Sequence, residues 1–177
     1  MPLSGPQWVS QFPGSTSLDA LAEPFRRGAQ RFLGALQMAQ ASVTVDATLR
    51  PPERAYLMHY AFAIARQGAD PSAIPVMQGV DIQWAHSDSR AAAEQMVAGY
   101  GIVYAPVLVS RHTEGKAIDM TIAWKGTLVL ANADGTSVAI SSLPWNGAGN
   151  ADLHKIGASY GVVKLLADPP HWSLDGH

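Results

Sequence analysis

The sequence contains no cysteine among its 177 residues. This absence excludes disulfide bonds, thiolate nucleophiles and metal sites with cysteine ligands. Any metal ion must therefore be held by histidine and carboxylate groups. The lack of cysteine is compatible with either side of a membrane, so it does not assign the protein to a compartment.

Charged residues are also scarce, and neither sign dominates. They make up 15% of the chain, and the formal net charge is −2. Without a basic excess, the chain has no stripe of lysine and arginine that could neutralise a phosphate backbone, so we expect no nucleic-acid partner. The apolar fraction of 47% is typical of a globular protein and not of a disordered one.

Long apolar runs are missing as well. The longest, residues 55–65, is interrupted by His59 and is too short to span a bilayer, so we expect no membrane insertion. The first residues show neither a basic region followed by an apolar run nor a cleavage site. We therefore expect synthesis in the cytoplasm without a standard export signal.

The pattern of apolar residues predicts helices early in the chain and strands later. Residues 1–16, rich in proline, glycine and serine, are expected to form an extended lead-in, followed by one domain over residues 17–177. Helices are predicted at 18–40, 52–67, 90–98 and 150–160, and strands at 42–48, 118–124, 127–131, 137–140 and 162–166. The three central strands predict an antiparallel meander. Because no βαβ alternation occurs, this order favours a single α+β domain.

The most informative stretch is SRHTEGKAID, residues 110–119. For His112 and Asp119 to bind one ion, the segment must fold back, because seven extended residues would span roughly 23 Å. Gly115 can adopt a positive φ at little cost, and the small Ala117 permits close approach of chain and metal. The spacing therefore allows a metal site built around a chain reversal.

A strand is expected to begin at Asp119. In a strand, alternate side chains point to opposite faces. Met120, Ile122 and Trp124 would then face the core. Asp119 and Thr121 would point the other way, toward a possible cleft.

A third candidate ligand, His171, ends the tetrapeptide Asp168-Pro169-Pro170-His171. Both prolines fix φ and restrict the residue before them, so the segment is stiff. A polyproline-like path has about three residues per turn, so Asp168 and His171 can project to the same side. This geometry would hold a base beside a metal ligand.

Two histidines and one carboxylate leave a fourth tetrahedral position open, as in catalytic zinc sites. Water bound there would approach a neutral pKa and become a nucleophile. Asp168 could take its proton and pass it to the leaving amine. Arg50, after the first predicted strand, is a candidate cation for stabilising the oxyanion.

Residues 110–119 resemble the Ser-x-His-x-x-Gly-x-Ala-x-Asp signature of a family of zinc peptidases. This family comprises the D-alanyl-D-alanine carboxypeptidases and dipeptidases and the phage L-alanyl-D-glutamate endopeptidases. The five fixed positions correspond to Ser110, His112, Gly115, Ala117 and Asp119.

The resemblance extends over about residues 48–172. The family's third zinc ligand is a histidine near the C-terminus, three residues after an acidic general base, and His171 and Asp168 match this pattern. The family also carries an arginine at the end of an early strand, which Arg50 matches. Two positions depart from the pattern: the base is Asp and not the Glu of classical dipeptidases, and Pro51 stands where many relatives carry Ser.

The resemblance implies one zinc ion per chain, held by His112, Asp119 and His171, and the fold shared with hedgehog signalling domains. That fold is a small antiparallel sheet with helices packed on one side. The implied activity is hydrolysis of an amide bond at a D-amino acid in peptidoglycan stem peptides. Ser110 and Trp172 are the candidate substrate contacts, with loop shaping as a second role for Ser110 and a place in the core or cleft wall for Trp172.

Several functional hypotheses stay open at this point. A lytic enzyme would act in the periplasm or cell wall, either after lysis as an endolysin or after injection by a contractile secretion machine as an antibacterial effector with an immunity protein. A cytoplasmic D-Ala-D-Ala dipeptidase is an alternative. A non-catalytic zinc module of the same fold is the competitor from another class, although an intact Asp168 argues against it.

Structural roles are the alternative for each candidate residue. His112 could be a loop histidine, Asp168 a turn residue before two prolines, and Arg50 a surface charge. The remaining histidines at 59, 86 and 154 are expected to be packed, structural or next to the substrate, and His177 is expected to be mobile.

Overall fold

The computed structural model describes residues 1–177 and contains four α-helices and six β-strands. The helices are α1 (Phe25–Met38), α2 (Pro52–Arg66), α3 (Ser89–Tyr100) and α4 (Ala151–Ser159). The strands are β1 (Ser42–Ala47), β2 (Ala117–Ala123), β3 (Leu128–Ala131), β4 (Ser137–Ile140), β5 (Val163–Lys164) and β6 (His171–Ser173). This mixture confirms the predicted α+β class. None of the helices combines the length and the apolar character needed to cross a bilayer.

The chain packs as two compact units, each with its own apolar core. The first unit comprises Met1–Gly14 and Arg50–Thr113, and the second comprises Ser15–Leu49 and Glu114–His177. Each core is a separate cluster of buried side chains. The predicted extent of the peptidase domain, residues 17–177, stays a prediction.

The first unit contains α2, α3 and the N-terminal residues. Trp8 lies in its core, where its indole N–H donates to the carbonyl of Leu3 at 2.9 Å and its own carbonyl accepts from the Tyr100 hydroxyl at 3.0 Å. The first residues are therefore packed, with a 3-10 helix at Pro6–Trp8, where the sequence predicts an extended lead-in. The reason is the gain from burying a large indole, which outweighs the local preference of proline, glycine and serine for open chain.

The second unit is organised around a four-stranded antiparallel sheet in the order β1-β2-β6-β5. Asp119 of β2 lies opposite Ala47 of β1 on one side and opposite His171 of β6 on the other. Helices α1 and α4 contribute Phe32 and Leu153 to the core that the sheet covers. The sheet thus carries two of the three predicted ligands on neighbouring strands.

The remaining two strands form a separate hairpin. β3 and β4 pair only with each other, so the predicted meander of three consecutive strands is wrong. The edge of β2 that β3 would need is occupied by residues 145–147: Trp124 N–H donates to the carbonyl of Trp145 at 3.2 Å, and Gly147 N–H donates to that of Ile122 at 2.8 Å. Pairing of β2 with residues 145–147 therefore prevents the predicted pairing of β2 with β3, its neighbour in the chain.

The first long helix begins later than predicted. A 3-10 turn covers Leu18–Ala20, and α1 starts only at Phe25. Pro24 lacks an N–H and disfavours a helical conformation at Glu23, so a continuous helix over 18–40 cannot form. The predicted strand 162–166 is likewise reduced to β5, because residues 166–170 form turns and a bend.

Gly115 reverses the chain just before β2. It adopts φ +67°, and its carbonyl accepts a hydrogen bond from the N–H of Ala22 at 2.8 Å. A Cβ at this position would lie 3.0 Å from the nitrogen of Ala22 and 3.3 Å from the carbonyl oxygen of Ala20. The predicted positive φ is confirmed, and glycine is required by both the conformation and the close approach.

We predict that Gly115→Ala destabilises the protein more than Gly126→Ala. Gly126 also has a positive φ, +73°, but a Cβ there would meet no atom within 4 Å. Both substitutions impose left-handed strain of about 1–2 kcal/mol, and only Gly115→Ala must also displace main chain. Free energies of unfolding from denaturant titration test this prediction, and equal losses in the two variants would contradict it.

Candidate metal centre

Asp119 and His171 meet because their strands are paired. Directly opposite residues of an antiparallel pair have side chains on the same face. The Oδ1 atom of Asp119 accordingly lies 3.0 Å from Nδ1 of His171. Met120 and Ile122 point to the other face and are buried in the core, which confirms the predicted alternation along β2.

His112 lies in the turn that precedes β2, and it is buried. Hydrogen bonds between Ser110 and Thr113 close this turn: the Thr113 hydroxyl accepts from the Ser110 N–H and donates to the Ser110 carbonyl, both at 2.9 Å. The carbonyl of His112 itself accepts from the N–H of Arg50 at 3.1 Å. Hydrogen bonds thus hold the main chain at His112 and at the residues before and after it.

The structure brings the three predicted ligands together. One ligand atom from each of His112, Asp119 and His171 lies within 4.8 Å of the other two. Around a tetrahedral zinc ion with bonds near 2.1 Å, neighbouring ligand atoms are about 3.4 Å apart. The pair formed by Asp119 and His171 has a comparable spacing of 3.0 Å. These residues could therefore hold a metal ion.

The second ring nitrogen of His171 has a partner of its own. Nε2 lies 3.1 Å from the main-chain carbonyl oxygen of His177. A metal-binding imidazole commonly donates its other N–H to such an oxygen, which fixes the tautomer and the ring orientation. Nδ1 of His171 is therefore the ring nitrogen that could bind a metal ion together with Asp119.

The expectation that His177 is mobile is wrong for its main chain. Its N–H and that of Gly176 both donate to the Ser173 hydroxyl, at 3.0 and 2.8 Å. The carbonyl that faces His171 is held by the same turn. The sequence carries a weak signal for this arrangement, a serine followed by Asp-Gly, which is typical of a tight turn.

Opposing effects set the charge of His171. Burial alone would lower the pKa of His171, but hydrogen bonds to Asp119 and to the His177 carbonyl, with the negative charges of Asp119 and Asp168, raise it above its usual value. Both ring nitrogens face acceptor oxygens, and this arrangement favours the protonated imidazole. A metal ion must displace the proton from Nδ1, and its binding therefore releases a proton.

Asp168 and Arg50 each form a main-chain hydrogen bond with a candidate ligand residue. Asp168 is exposed in the loop between β5 and β6, and its carbonyl accepts from the N–H of His171 at 3.1 Å. Arg50 is half-buried and contacts His112 through its main chain, as described above. Their catalytic roles stay predictions.

The prediction that Trp172 contacts the substrate is wrong. Its side chain is 0% exposed and packs against Phe32 and His154, with ring centroids 5.6 and 5.4 Å away. Successive strand residues point to opposite faces, so Trp172 points into the core when His171 points toward the candidate metal site.

Two roles are predicted for Ser110, and the structure supports the shaping of the loop. The Oγ atom of Ser110 accepts a hydrogen bond from the Thr113 N–H at 3.4 Å. Substrate binding by Ser110 stays a prediction.

The other histidines make hydrogen bonds of their own. Rings at 59, 86 and 154 contact the Pro106 carbonyl at 2.7 Å, the Ser4 hydroxyl at 2.9 Å and the Gly147 carbonyl at 2.9 Å. Burial lowers the pKa of His154 despite its hydrogen bond. None of the three belongs to the metal-binding group, in line with the predicted structural roles.

A cleft of about 470 Å³ lies on the face of β2 that carries Asp119 and Thr121. Asp46, Asn146 and Pro170 are among the residues of its walls. Asp46 accepts a hydrogen bond from the Thr121 hydroxyl at 3.1 Å. Asp46 and Asn146 were not predicted from the sequence, because they come from β1 and from the loop before α4. Only the alternation along β1 offers a signal for Asp46.

No protein-family model matches this sequence, and no curated protein matches it. The resemblance of residues 110–119 and 168–171 to zinc peptidases therefore stays a hypothesis.

We predict that His112→Ala lowers the affinity for Zn²⁺ by more than about 100-fold, because it removes one of three ligands. His177→Ala is the matched control: it removes an exposed side chain and keeps the carbonyl that faces His171, so affinity should not change. Competition with a chromophoric chelator measures both constants, and circular dichroism checks that the variants fold. A folded His112→Ala variant with normal zinc content would refute the assigned ligand set.

Proposed function

We propose that this chain is a zinc-dependent peptidase that hydrolyses an amide bond at a D-amino acid in peptidoglycan stem peptides. The observation that carries the proposal is the convergence of His112, Asp119 and His171 within 4.8 Å. Their positions match the ligand positions of the zinc peptidases that residues 110–119 resemble. The substrate class comes from that resemblance alone.

The donor set supports zinc as the metal, with one ion per chain. Imidazole nitrogen is a preferred zinc ligand, whereas magnesium and calcium favour sites built from oxygen. Two histidines and one carboxylate are also the protein ligands of known catalytic zinc sites, which keep a further position for water or substrate. Structural zinc sites, in contrast, are closed by four protein ligands.

The proposed chemistry assigns a role to each neighbouring residue. His112, Asp119 and His171 would hold the zinc ion, which would supply the activation of water and the polarisation of the substrate carbonyl. Asp168 would take a proton from the attacking water and give it to the leaving amine. Its exposure and its electrostatic effect on His171 support this role. Arg50, whose N–H is bound to the His112 carbonyl, would stabilise the negative charge on the carbonyl oxygen.

The cleft beside Asp119 supports a peptide substrate. Its volume of about 470 Å³ is in the range of small-molecule sites and would take a short peptide segment. Thr121 and Asn146 offer hydrogen-bonding groups along it, and Pro169 and Pro170 offer apolar contact. A substrate in this cleft would have its scissile amide next to a metal ligand.

A lytic role in the periplasm or cell wall is part of the proposal. The enzyme would reach peptidoglycan at lysis, as an endolysin, or through a secretion machine, as an antibacterial effector. An effector of this kind would be paired with an immunity protein in the producing cell. A cytoplasmic D-Ala-D-Ala dipeptidase and a non-catalytic zinc module are the alternatives that the experiment below must separate.

We predict that Asp168→Asn slows digestion of purified peptidoglycan by at least about 100-fold, because it removes the proton acceptor. Zinc affinity should stay close to that of wild type, since Asp168 is not a ligand. Mass spectrometry of the released muropeptides measures the rate and identifies the bond. Asp134→Asn is the control: this exposed turn residue accepts from the Thr136 N–H, and an amide oxygen preserves that bond.

Each alternative has its own outcome. If wild type and Asp168→Asn bind one zinc ion and are both inert on peptidoglycan and on free D-Ala-D-Ala, the protein is a binding module. Cleavage of free D-Ala-D-Ala without any digestion of peptidoglycan would identify a dipeptidase instead.

A further inference from the structure

Lys164 is a buried charge that the proposed mechanism does not use. It is the last residue of β5, lies opposite Trp172 of β6, and is only 7% exposed. No other lysine, arginine, aspartate or glutamate of the chain is buried to this degree. Burying an ammonium is costly unless its protons are bonded and its charge is balanced, so this residue requires an explanation.

The Lys164 ammonium binds the loop that carries Asp168 and His171. Nζ donates to the main-chain carbonyls of Leu165, Asp168 and His171, the last at 3.1 Å. An ammonium has three protons, so each of them has an acceptor. All three acceptors belong to the short segment that connects the predicted base to the predicted ligand.

The same carbonyls also form the turns of this loop. The carbonyl of Leu165 accepts from the N–H of Asp168, and the carbonyl of Asp168 accepts from the N–H of His171. The carbonyl of His171 accepts from the N–H of Leu165, which closes the hairpin. Lys164 therefore supplies a second hydrogen bond to each of these three carbonyls.

The charged groups that act on Lys164 belong to the candidate metal site. Burial lowers the pKa of Lys164, and the charges of Asp168 and Asp119 offset part of this effect. The carboxylates that compensate the buried ammonium are thus the predicted base and a predicted ligand. The face of Trp172 lies under Nζ, with the ring centroid 5.8 Å away.

We propose that Lys164 is a positioning residue, whose ammonium holds residues 165–171 so that His171 faces Asp119 and Asp168 stays beside His171. The inference rests on the proposed metal site and deepens it. Without the ammonium, three carbonyls lose a partner and the loop gains freedom. The ring of His171 and the carboxylate of Asp168 then lose their fixed direction.

The first experiment compares Lys164→Met with wild type. Replacing a residue that orients a metal ligand typically lowers metal affinity by about 10–100-fold, and we expect a loss in this range. Competition with a chromophoric chelator gives the zinc dissociation constant, and the visible absorption of the Co²⁺ form reports the ligand geometry. Lys155→Met, at a side chain that is 77% exposed, is the control and should leave both unchanged.

A chemical rescue separates the charge from the volume of the side chain. Because the chain lacks cysteine, Lys164→Cys supplies a single thiol that can be alkylated in the unfolded protein before refolding. Alkylation with 2-bromoethylamine restores an ammonium, and alkylation with 1-bromopropane gives a neutral chain of the same length. We expect only the ammonium to restore zinc affinity, to within about 3-fold of wild type. Equal rescue by both reagents would overturn the proposal.

A readout without metal makes the test independent of the proposed function. Loss of the Lys164 bonds should accelerate amide hydrogen exchange at Leu165, Asp168 and His171 in the metal-free protein, whereas Lys155→Met should not. If wild type binds zinc but does not digest peptidoglycan, the proposed function fails and Lys164 is judged by affinity and exchange alone. A folded Lys164→Met variant with unchanged affinity and exchange contradicts the positioning role.

Lys164→Gln covers the case in which Lys164→Met does not fold. The amide keeps two donors for the loop carbonyls and removes the charge. We expect this variant to fold and to bind zinc more weakly than wild type. If all neutral variants fail to fold, Lys164 acts on the folding of the unit and the proposal is wrong.

Discussion

The pairing of β2 with β6 is the constraint on which the metal site depends. It sets Asp119 opposite His171, so that a carboxylate and an imidazole separated by 52 residues become neighbours at 3.0 Å. The adjacent pair, Ile118 and Trp172, points to the other face and is fully buried. A slip of one residue would expose Trp172 and bury Asp119. Core packing and the metal site therefore select the same register.

The features that the sequence predicted are those with a local chemical cause. The alternation of apolar residues along β2 follows from the period of a strand, and the chain reversal at Gly115 follows from the freedom of glycine. The grouping of His112, Asp119 and His171 has no such local cause, and it was predicted because their spacing resembles a known pattern of zinc ligands. The position of Trp172 was predictable too: once His171 faces a metal, strand alternation sends the next side chain to the core.

The features that the sequence analysis missed depend on partners that are distant in the chain. The β3–β4 hairpin leaves the main sheet because residues 145–147 occupy the edge of β2, and no local pattern contains that competition. Trp8 orders the N-terminal residues through contacts with Tyr100. Lys164 was missed for another reason, since its acceptors are main-chain carbonyls, which leave no signature in residue types.

Hydrogen bonds within the chain orient two of the three candidate ligands, and the same bonds affect the charge of His171. Hydrogen bonds at both ring nitrogens hold His171, and the turn closed by Ser110 and Thr113 holds the backbone at His112, so binding need not order these groups. The bonds to His171 stabilise a proton on Nδ1, the nitrogen that a metal ion at this candidate site would need. Metal and proton therefore compete for one atom. The contact of Nε2 with the main-chain oxygen of His177 acts in the other direction, because it holds the ring in the orientation in which Nδ1 points toward Asp119.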